Sequence, residues 1–447
     1  MKKLSVNISR LLLSAVLILS GFVKAVDPLG TQYKLEEYAA ALGFSDIFPS
    51  VAALAAAVLL AAFEFTVGVL LLFAIRRRLT SRAAFLIFAV LTPLTLWLAL
   101  ANPITDCGCF GDAIILTNWQ TFWKNAVLLA AAAITARRPM LMVRFISQSN
   151  QWIVYNYTLL FILAVASLSL YDLPQFDFRP YHVGANIREG MATPEGAAQP
   201  KYDTTFTLEK DGERREFTLD EYPDSTWTFV DSHTTLVSEG YVPPIHDFSI
   251  VTAAATTDRA AGEDITGEIL ADTGYTFLLV SPQLGDADDS AFNVINELYE
   301  YALRQGYSFY CLTASNDRAI EHWKDITGAE YPFCHTDETT LKTVIRSNPG
   351  LLLLKDATVI GKWSHNNMPA IDNDQWNKPL EDLEMGRIPD ESAAVKVIHL
   401  ILWFAVPLLL LTIADRLWAW SRWLRRKPRD MNTTTHNNPQ NKKQSKQ

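Results

Sequence analysis

Val51-Ala-Ala-Leu-Ala-Ala-Ala-Val-Leu-Leu-Ala-Ala-Phe-Glu64-Phe-Thr-Val-Gly68-Val-Leu-Leu-Leu-Phe-Ala-Ile75 is a run of 25 residues carrying one charge, and Arg76-Arg77-Arg78 follows it at once. A membrane-spanning helix needs about 20 mostly apolar residues, because the hydrocarbon core is about 30 Å thick and a helix rises about 1.5 Å per residue. The run therefore reads as a membrane span ended by a basic turn. Working outward, five more segments read the same way: roughly 9–26, 83–101, 120–136, 152–170 and 396–416. The segment at 120–136 is short, and Trp119, Trp123 and Lys124 at its start suit a membrane interface.

Charge sets the orientation. Lys2, Lys3 and Arg10 accompany the first span, Arg76–Arg78 and Arg82 join the second to the third, and Arg137, Arg138 and Arg144 join the fourth to the fifth. Arg422, Arg425, Arg426, Lys427 and Arg429 follow the sixth. Every second loop is basic, which assigns those loops to the cytoplasm and residues 171–395 to the outer side of the cytoplasmic (inner) membrane. Residues 1–25 have a second reading as a secretory signal peptide ending at Val23-Lys24-Ala25. Composition alone does not choose between a cleaved and a retained first segment.

Apolar residues make up 49% of the 447-residue chain and charged residues 19%, with a formal net charge of −9. The acidic balance excludes nucleic acid as a partner, since phosphate binding needs a basic face. The lipid bilayer is the first partner. Residues 172–240 read as a linker rich in Pro and Gly followed by a small β-rich region. There Thr204–Leu208 and Glu216–Leu219 flank Asp211-Gly212, a hairpin signal. Over 241–375 the pattern becomes strand, helix, strand, helix and hairpin, an α/β arrangement. The tail at 423–447, rich in Asn, Thr, Gln and Lys, reads as disordered cytoplasmic chain.

Chemistry concentrates at Asp106-Cys107-Gly108-Cys109-Phe110-Gly111-Asp112, between the third and fourth spans on the outer side. Disulfide exchange needs two thiols at short range and access for a partner, and the flanking glycines let the backbone turn tightly. A purely structural disulfide and a metal site are the other readings. Metal is disfavoured because no His or third Cys lies nearby in sequence. No cofactor is fixed by the sequence, although a membrane quinone could reach the pair from the bilayer and an exported client with thiols could reach it from solution. Asp106 and Asp112 would raise the thiol pKa values unless Lys124 or a helix N-terminus offsets them. Glu64, within its span, should pair or carry a proton, and Lys24 is the candidate partner. Cys311 and Cys334 are a possible second pair, or else buried thiols. His246, His335 and His365 read as surface or satisfied histidines.

Two resemblances add to this reading. Residues 1–140 resemble the DoxX-like membrane proteins, and most closely the MauE methylamine-utilisation branch. The carrying residues are Gly21-Phe-Val-Lys24-Ala-Val-Asp27-Pro-Leu-Gly-Thr31, Glu64-Phe65-x-x-Gly68 and Cys107-Gly-Cys-Phe-Gly-Asp112. That resemblance includes the first span, so it implies retention. It also implies a four-helix membrane core, with two further spans here at 150–171 and 396–418, and a role in forming disulfides in an exported partner. Cys107 and Cys109 would be catalytic, supported by Asp106, Asp112, Glu64 and Lys24. Residues 241–375 resemble the thioredoxin fold, whose cis-proline precedes a strand as Pro349 precedes Leu351–Leu354 here. The loop Ser281–Ser290, where that family carries Cys-x-x-Cys, has no cysteine. The competing function is a non-enzymatic membrane scaffold that binds a client through this cysteine-poor domain. The fused layout is also similar in architecture to vitamin K epoxide reductase.

Overall fold

The computed structural model describes residues 2–44, 48–104, 107–198, 201–210, 213–218, 228–238, 240–253, 262–389 and 393–426, with backbone alone over the strands between 201 and 238. Asp106, the turn Asp211-Gly212 and the tail beyond residue 426 lie outside the described residues. Two compact units form, Met1–Phe178 with Asp390–Gln447, and Arg179–Pro389.

The first unit is all helical: α1 (Lys2–Val26), α2 (Pro28–Ala41), α3 (Ser50–Leu72), α4 (Arg77–Ala101), α5 (Asn118–Arg137) and α6 (Gln151–Tyr171), with a C-terminal helix Ala393–Arg426. α1 and α3 touch backbone to backbone. A Cβ on Gly21 would run into the main chain of Ala61 and Phe65, and one on Gly68 would lie 2.8 Å from the Ile18 nitrogen. In lipid there is no hydrophobic drive between helices, so close packing through small residues holds them together. Ala57 and Ala61 extend the same stripe along α3, fully buried.

The C-terminal helix packs on α6 and α3 through Phe404, whose ring lies 4.7 Å from that of Phe161 and 5.1 Å from that of Phe65. Its buried Asp415 accepts from the Ser147 backbone N–H at 2.9 Å and from Asn150 Nδ2 at 2.7 Å, which satisfies the carboxylate.

Among the described residues, five helices are long and apolar enough to cross a membrane: Lys2–Val26, Ser50–Leu72, Arg77–Ala101, Gln148–Tyr171 and Val395–Leu424. The sequence count of six spans included 120–136. That segment does form a helix, α5, but Asn118, Gln120, Lys124 and Asn125 make its first half polar. A Thr117/Gln120 capping box starts it. It packs against α1 and α4, and Asn125 Nδ2 donates to Thr95 Oγ1 of α4 at 3.3 Å. The stretch expected as a loop after α1 holds α2 instead. Asp27 caps it by accepting from the Gly30 N–H at 2.9 Å, with Pro28 at the first helical position.

The second unit has two sheets. β1 (Lys201–Lys210), β2 (Glu213–Thr218) and β3 (Thr228–Ser238) form an antiparallel sheet in the order β2-β1-β3. After α7 (Ile187–Met191) and this sheet come β4 (Val251–Thr252), α8 (Thr266–Ala271), β5 (Tyr275–Ser281), α9 (Phe292–Gln305), β6 (Ser308–Thr313), α10 (Asp317–Thr327), β7 (Phe333–His335), α11 (Glu338–Val344), β8 (Gly350–Lys355) and β9 (Thr358–Ser364). The larger sheet runs β4-β7-β6-β5-β8-β9. β5, β6 and β7 are parallel, while β8 and β9 turn back antiparallel.

Every residue of β5 is buried, as a continuous apolar strand covered on both faces should be. The peptide bond Asn348–Pro349, just before β8, is cis. Parallel strands joined through helices and a closing antiparallel hairpin make this a thioredoxin-like α/β domain. The segment expected as a linker is partly built in: Gly184 N–H donates to Val359 O at 2.8 Å and Ile187 N–H to Ala357 O at 2.9 Å. It covers the outer edge of β9, an edge that would otherwise be open to another strand.

Candidate functional site

Cys107 and Cys109 form a disulfide, with their Cα atoms 5.5 Å apart. The loop that carries them turns at Gly108 (φ +63°) and Gly111 (φ +52°), a backbone region costly for other residues. A side chain from α1 or α2 holds each cysteine's carbonyl. Tyr38 Oη of α2 donates to Cys107 O at 3.0 Å. Lys24 Nζ of α1 donates to Cys109 O at 2.9 Å, and Ser20 Oγ lies 2.9 Å from the same oxygen.

Lys24 in turn meets Glu64 of α3. Nζ lies 2.8 Å from Glu64 Oε2 and 2.6 Å from Ser20 Oγ, and Ser20 Oγ lies 2.8 Å from Oε2. The two charged side chains are only 8% and 4% exposed. The close approach at Gly21 makes this pairing possible, because Lys24 lies one turn further along α1 and faces α3. The ammonium uses its three donors on Ser20, Glu64 and the Cys109 carbonyl, so a charge pair at membrane depth is also a clamp on the cysteine loop. Lys124 of α5 stands over the Phe110 ring, 4.2 Å from its centroid.

The disulfide, the Lys24–Glu64 pair and Lys124 line a cavity of about 250 Å³, with apolar walls that include Leu60, Leu91 and Leu94. Cys107 is buried, and Cys109 is half-buried.

The structure thus brings together Lys24, Glu64, Cys107 and Cys109. Asp112 is exposed on the single turn Gly111–Ala113. Ser20 and Tyr38 were not anticipated, nor was Lys34 of α2, which also lines the cavity. Ser20 could have been found, since it sits four residues before Lys24 and so on the same helix face.

Cys311 and Cys334 are not joined. In the parallel pairing of β6 and β7, Cys311 is opposite Phe333 while Cys334 is opposite Leu312. The two side chains therefore leave opposite faces of the sheet. Both are buried thiols, and burial holds that of Cys311 well above the ordinary thiol range. Pro349 lies at the far end of the loop Ser281–Ser290: Ser281 Oγ donates to Asn348 Oδ1 at 2.7 Å and Asp288 N–H to Asn348 O at 3.0 Å. The histidines pair locally, His246 Nε2 with Asp247 at 3.1 Å and His365 Nδ1 with Ser347 Oγ at 2.9 Å.

Residues 2–137 match the family model described as Methylamine utilisation protein MauE. The matched stretch holds α1 to α5 and the cysteine loop, and is similar to the MauE membrane family. With its further apolar helices the chain is a multi-pass membrane protein. The match covers every residue of the MauE-domain site, from Ser20 on α1 to Lys124 on α5. Residues 202–239 match a model described as Domain of unknown function (DUF8463), which spans the small antiparallel sheet. A solution structure of a protein described as a disulfide isomerase from Bacteroides thetaiotaomicron is similar at 11% identity and a TM-score of 0.22, covering 27% of this chain and 76% of that one. The fold of the second unit rests on its own strand order. No curated protein matches the chain.

Proposed function

We propose that this protein is a membrane thiol–disulfide oxidoreductase that passes the Cys107–Cys109 disulfide to an exported client. The observation that carries the proposal is the clamped disulfide: a two-residue-spaced pair whose two carbonyls are held by Tyr38 and Lys24, beside a cavity. A scaffold would not need two thiols so placed. The alternating basic loops support an orientation with this loop and residues 171–395 outside the cytoplasm.

In the reaction, a client thiolate attacks Cys109, the more accessible sulfur, and the Cys107 sulfur leaves as a thiolate. A second client thiolate then displaces Cys109. The client loses two electrons and gains a disulfide, and its two protons end on Cys107 and Cys109. Lys24, at the Cys109 carbonyl, supplies positive charge beside the site as negative charge develops on sulfur.

The thioredoxin-like domain has no cysteine in the loop where that fold carries its exchanging pair, and its two thiols are buried in strands. That favours a non-enzymatic, client-binding part for this domain within the same protein. The test is a redox titration of the full-length chain in detergent with mass-tagged thiols. Cys107 and Cys109 should titrate together as a two-electron couple. A pair that stays locked in one state across the range, in a protein whose Cys107→Ser variant works normally, would leave only a structural disulfide.

A further inference from the structure

We propose that the cavity beside Cys109 receives the ring of a membrane quinone, which re-oxidises the Cys107–Cys109 dithiol. The proposal rests on the oxidoreductase reading and names the acceptor for the same site. After each turnover the pair is left as a dithiol, and something must remove two electrons and two protons from it. The walls of the cavity narrow the choice of acceptor. Val16 of α1, Leu60 of α3 and Phe88, Leu91 and Leu94 of α4 are apolar and belong to helices long enough to span the bilayer. A water-soluble disulfide such as oxidised glutathione is charged and peptidic, and these apolar walls leave most of its polar groups without partners. At about 250 Å³ the cavity falls below the roughly 300–1,000 Å³ of sites that engulf a drug-sized molecule, and suits one substituted ring whose tail stays in lipid.

The polar end provides what a ring carbonyl needs. Lys24 has its donors committed, to Ser20, Glu64 and the Cys109 carbonyl. Lys124 does not: among the described residues its half-buried ammonium faces the Phe110 ring at 4.2 Å and makes no hydrogen bond to an oxygen. It lines the cavity together with both cysteines. A cationic donor beside an uncharged wall recognises an oxygen that becomes more negative as electrons arrive. The step balances: two S–H bonds break, the S–S bond forms, and the two quinone carbonyls become hydroxyls, so that the dithiol is oxidised and the quinone is reduced to quinol. Lys124 is a positioning residue for the ring, and the sulfurs are the reacting atoms.

The experiment uses full-length protein in detergent, reduced, freed of reductant and kept anaerobic. Ubiquinone-1 is added, and quinol formation is followed by absorbance while mass-tagging follows loss of the two thiols. One quinol should form per disulfide. Leu94→Trp, which fills the cavity, and Lys124→Met, which removes the charged donor, should each slow this at least tenfold. Oxidation by diamide, a small water-soluble reagent, should be unchanged in both, which shows that the loop is intact. Leu91→Trp serves as a second filling variant should Leu94→Trp lose its fold. The quinone proposal is overturned if ubiquinone-1 oxidises wild type and both filled variants at one rate, or leaves the dithiol untouched. In that outcome, a wild-type disulfide that still passes to a reduced peptide keeps the oxidoreductase reading. A pair that exchanges with neither quinone nor peptide ends both.

Discussion

Replacing Lys24 with Met should cost the membrane domain about 3 kcal/mol, and a second change at Glu64 should restore most of it. Lys24 makes three short contacts, to Ser20 Oγ at 2.6 Å, to Glu64 Oε2 at 2.8 Å and to Cys109 O at 2.9 Å. Removing one side of a buried ion pair costs roughly 3–5 kcal/mol, because the other charge is left unpaired. The lower end of that range is the expectation here. About 3 kcal/mol is roughly a hundredfold in the folding equilibrium. In Lys24→Met/Glu64→Leu no charge is left behind, and stability should return to within about 1 kcal/mol of wild type. The assay is unfolding of the full-length protein by a denaturing detergent, read as a double-mutant cycle. A coupling energy above about 2 kcal/mol is expected. Strictly additive effects, or single variants each costing under about 0.5 kcal/mol, would mean that the two charges are solvated separately and that the clamp does not exist.

Gly21→Ala should resemble Lys24→Met, because a Cβ there meets the backbone of Phe65 and pushes α1 away from α3; size-exclusion yield and the same unfolding titration report it. Cys311 should resist alkylation in the native protein at pH 9 and react fully once unfolded, whereas its reaction in native protein at the rate of a free thiol would contradict its burial. Because its folded pKa is raised, Cys311 contributes stability that is complete below the ordinary thiol value near 8.5 and falls away as pH rises above it, so Cys311→Ala should flatten the loss of stability above pH 8.5. In intact cells an impermeant thiol reagent should label a cysteine placed at residue 230 and spare one at residue 80; the reverse would overturn the orientation.

The membrane bundle was legible because apolar length is a crude, strong signal, and Glu64 stood out as the single charge in a long apolar run. Its pairing with Lys24 was readable as one of two needs, since a carboxylate at that depth should pair or carry a proton. What the sequence concealed was local. α2 mixes Gln32, Lys34, Glu36 and Glu37 with apolar residues and shows little periodicity, yet Asp27-Pro28 announces its start. α5 looked like a sixth span because its Ala- and Leu-rich half dominates, whereas its polar half is spent on Thr95 and on the cavity. β5, β6 and β8 were legible as short apolar strands, while their order in the sheet was not. Residues 184–187 looked like linker because most of their bonds to β9 are main-chain bonds, which leave no trace in side-chain pattern; Asn186 adds a side-chain bond to Thr358. The one-residue offset that separates Cys311 from Cys334 is a matter of register, which no spacing along one chain reveals.

The most direct test of the central claim is to trap the reaction in intact cells. A Cys107→Ala variant retains Cys109, whose thiolate attacks the disulfide of an oxidised client in the reverse of the transfer, releases one client thiol and leaves a mixed disulfide that Cys107 can no longer resolve. Acid quenching, alkylation and non-reducing electrophoresis should show this variant joined through Cys109 to one or a few exported proteins, with the adducts lost on reduction and absent from the Cys107→Ala/Cys109→Ala double variant. If the single variant forms no mixed disulfide, and wild type holds Cys107–Cys109 fully oxidised while its clients acquire their disulfides equally well without it, the loop is a structural staple and the oxidoreductase account is wrong.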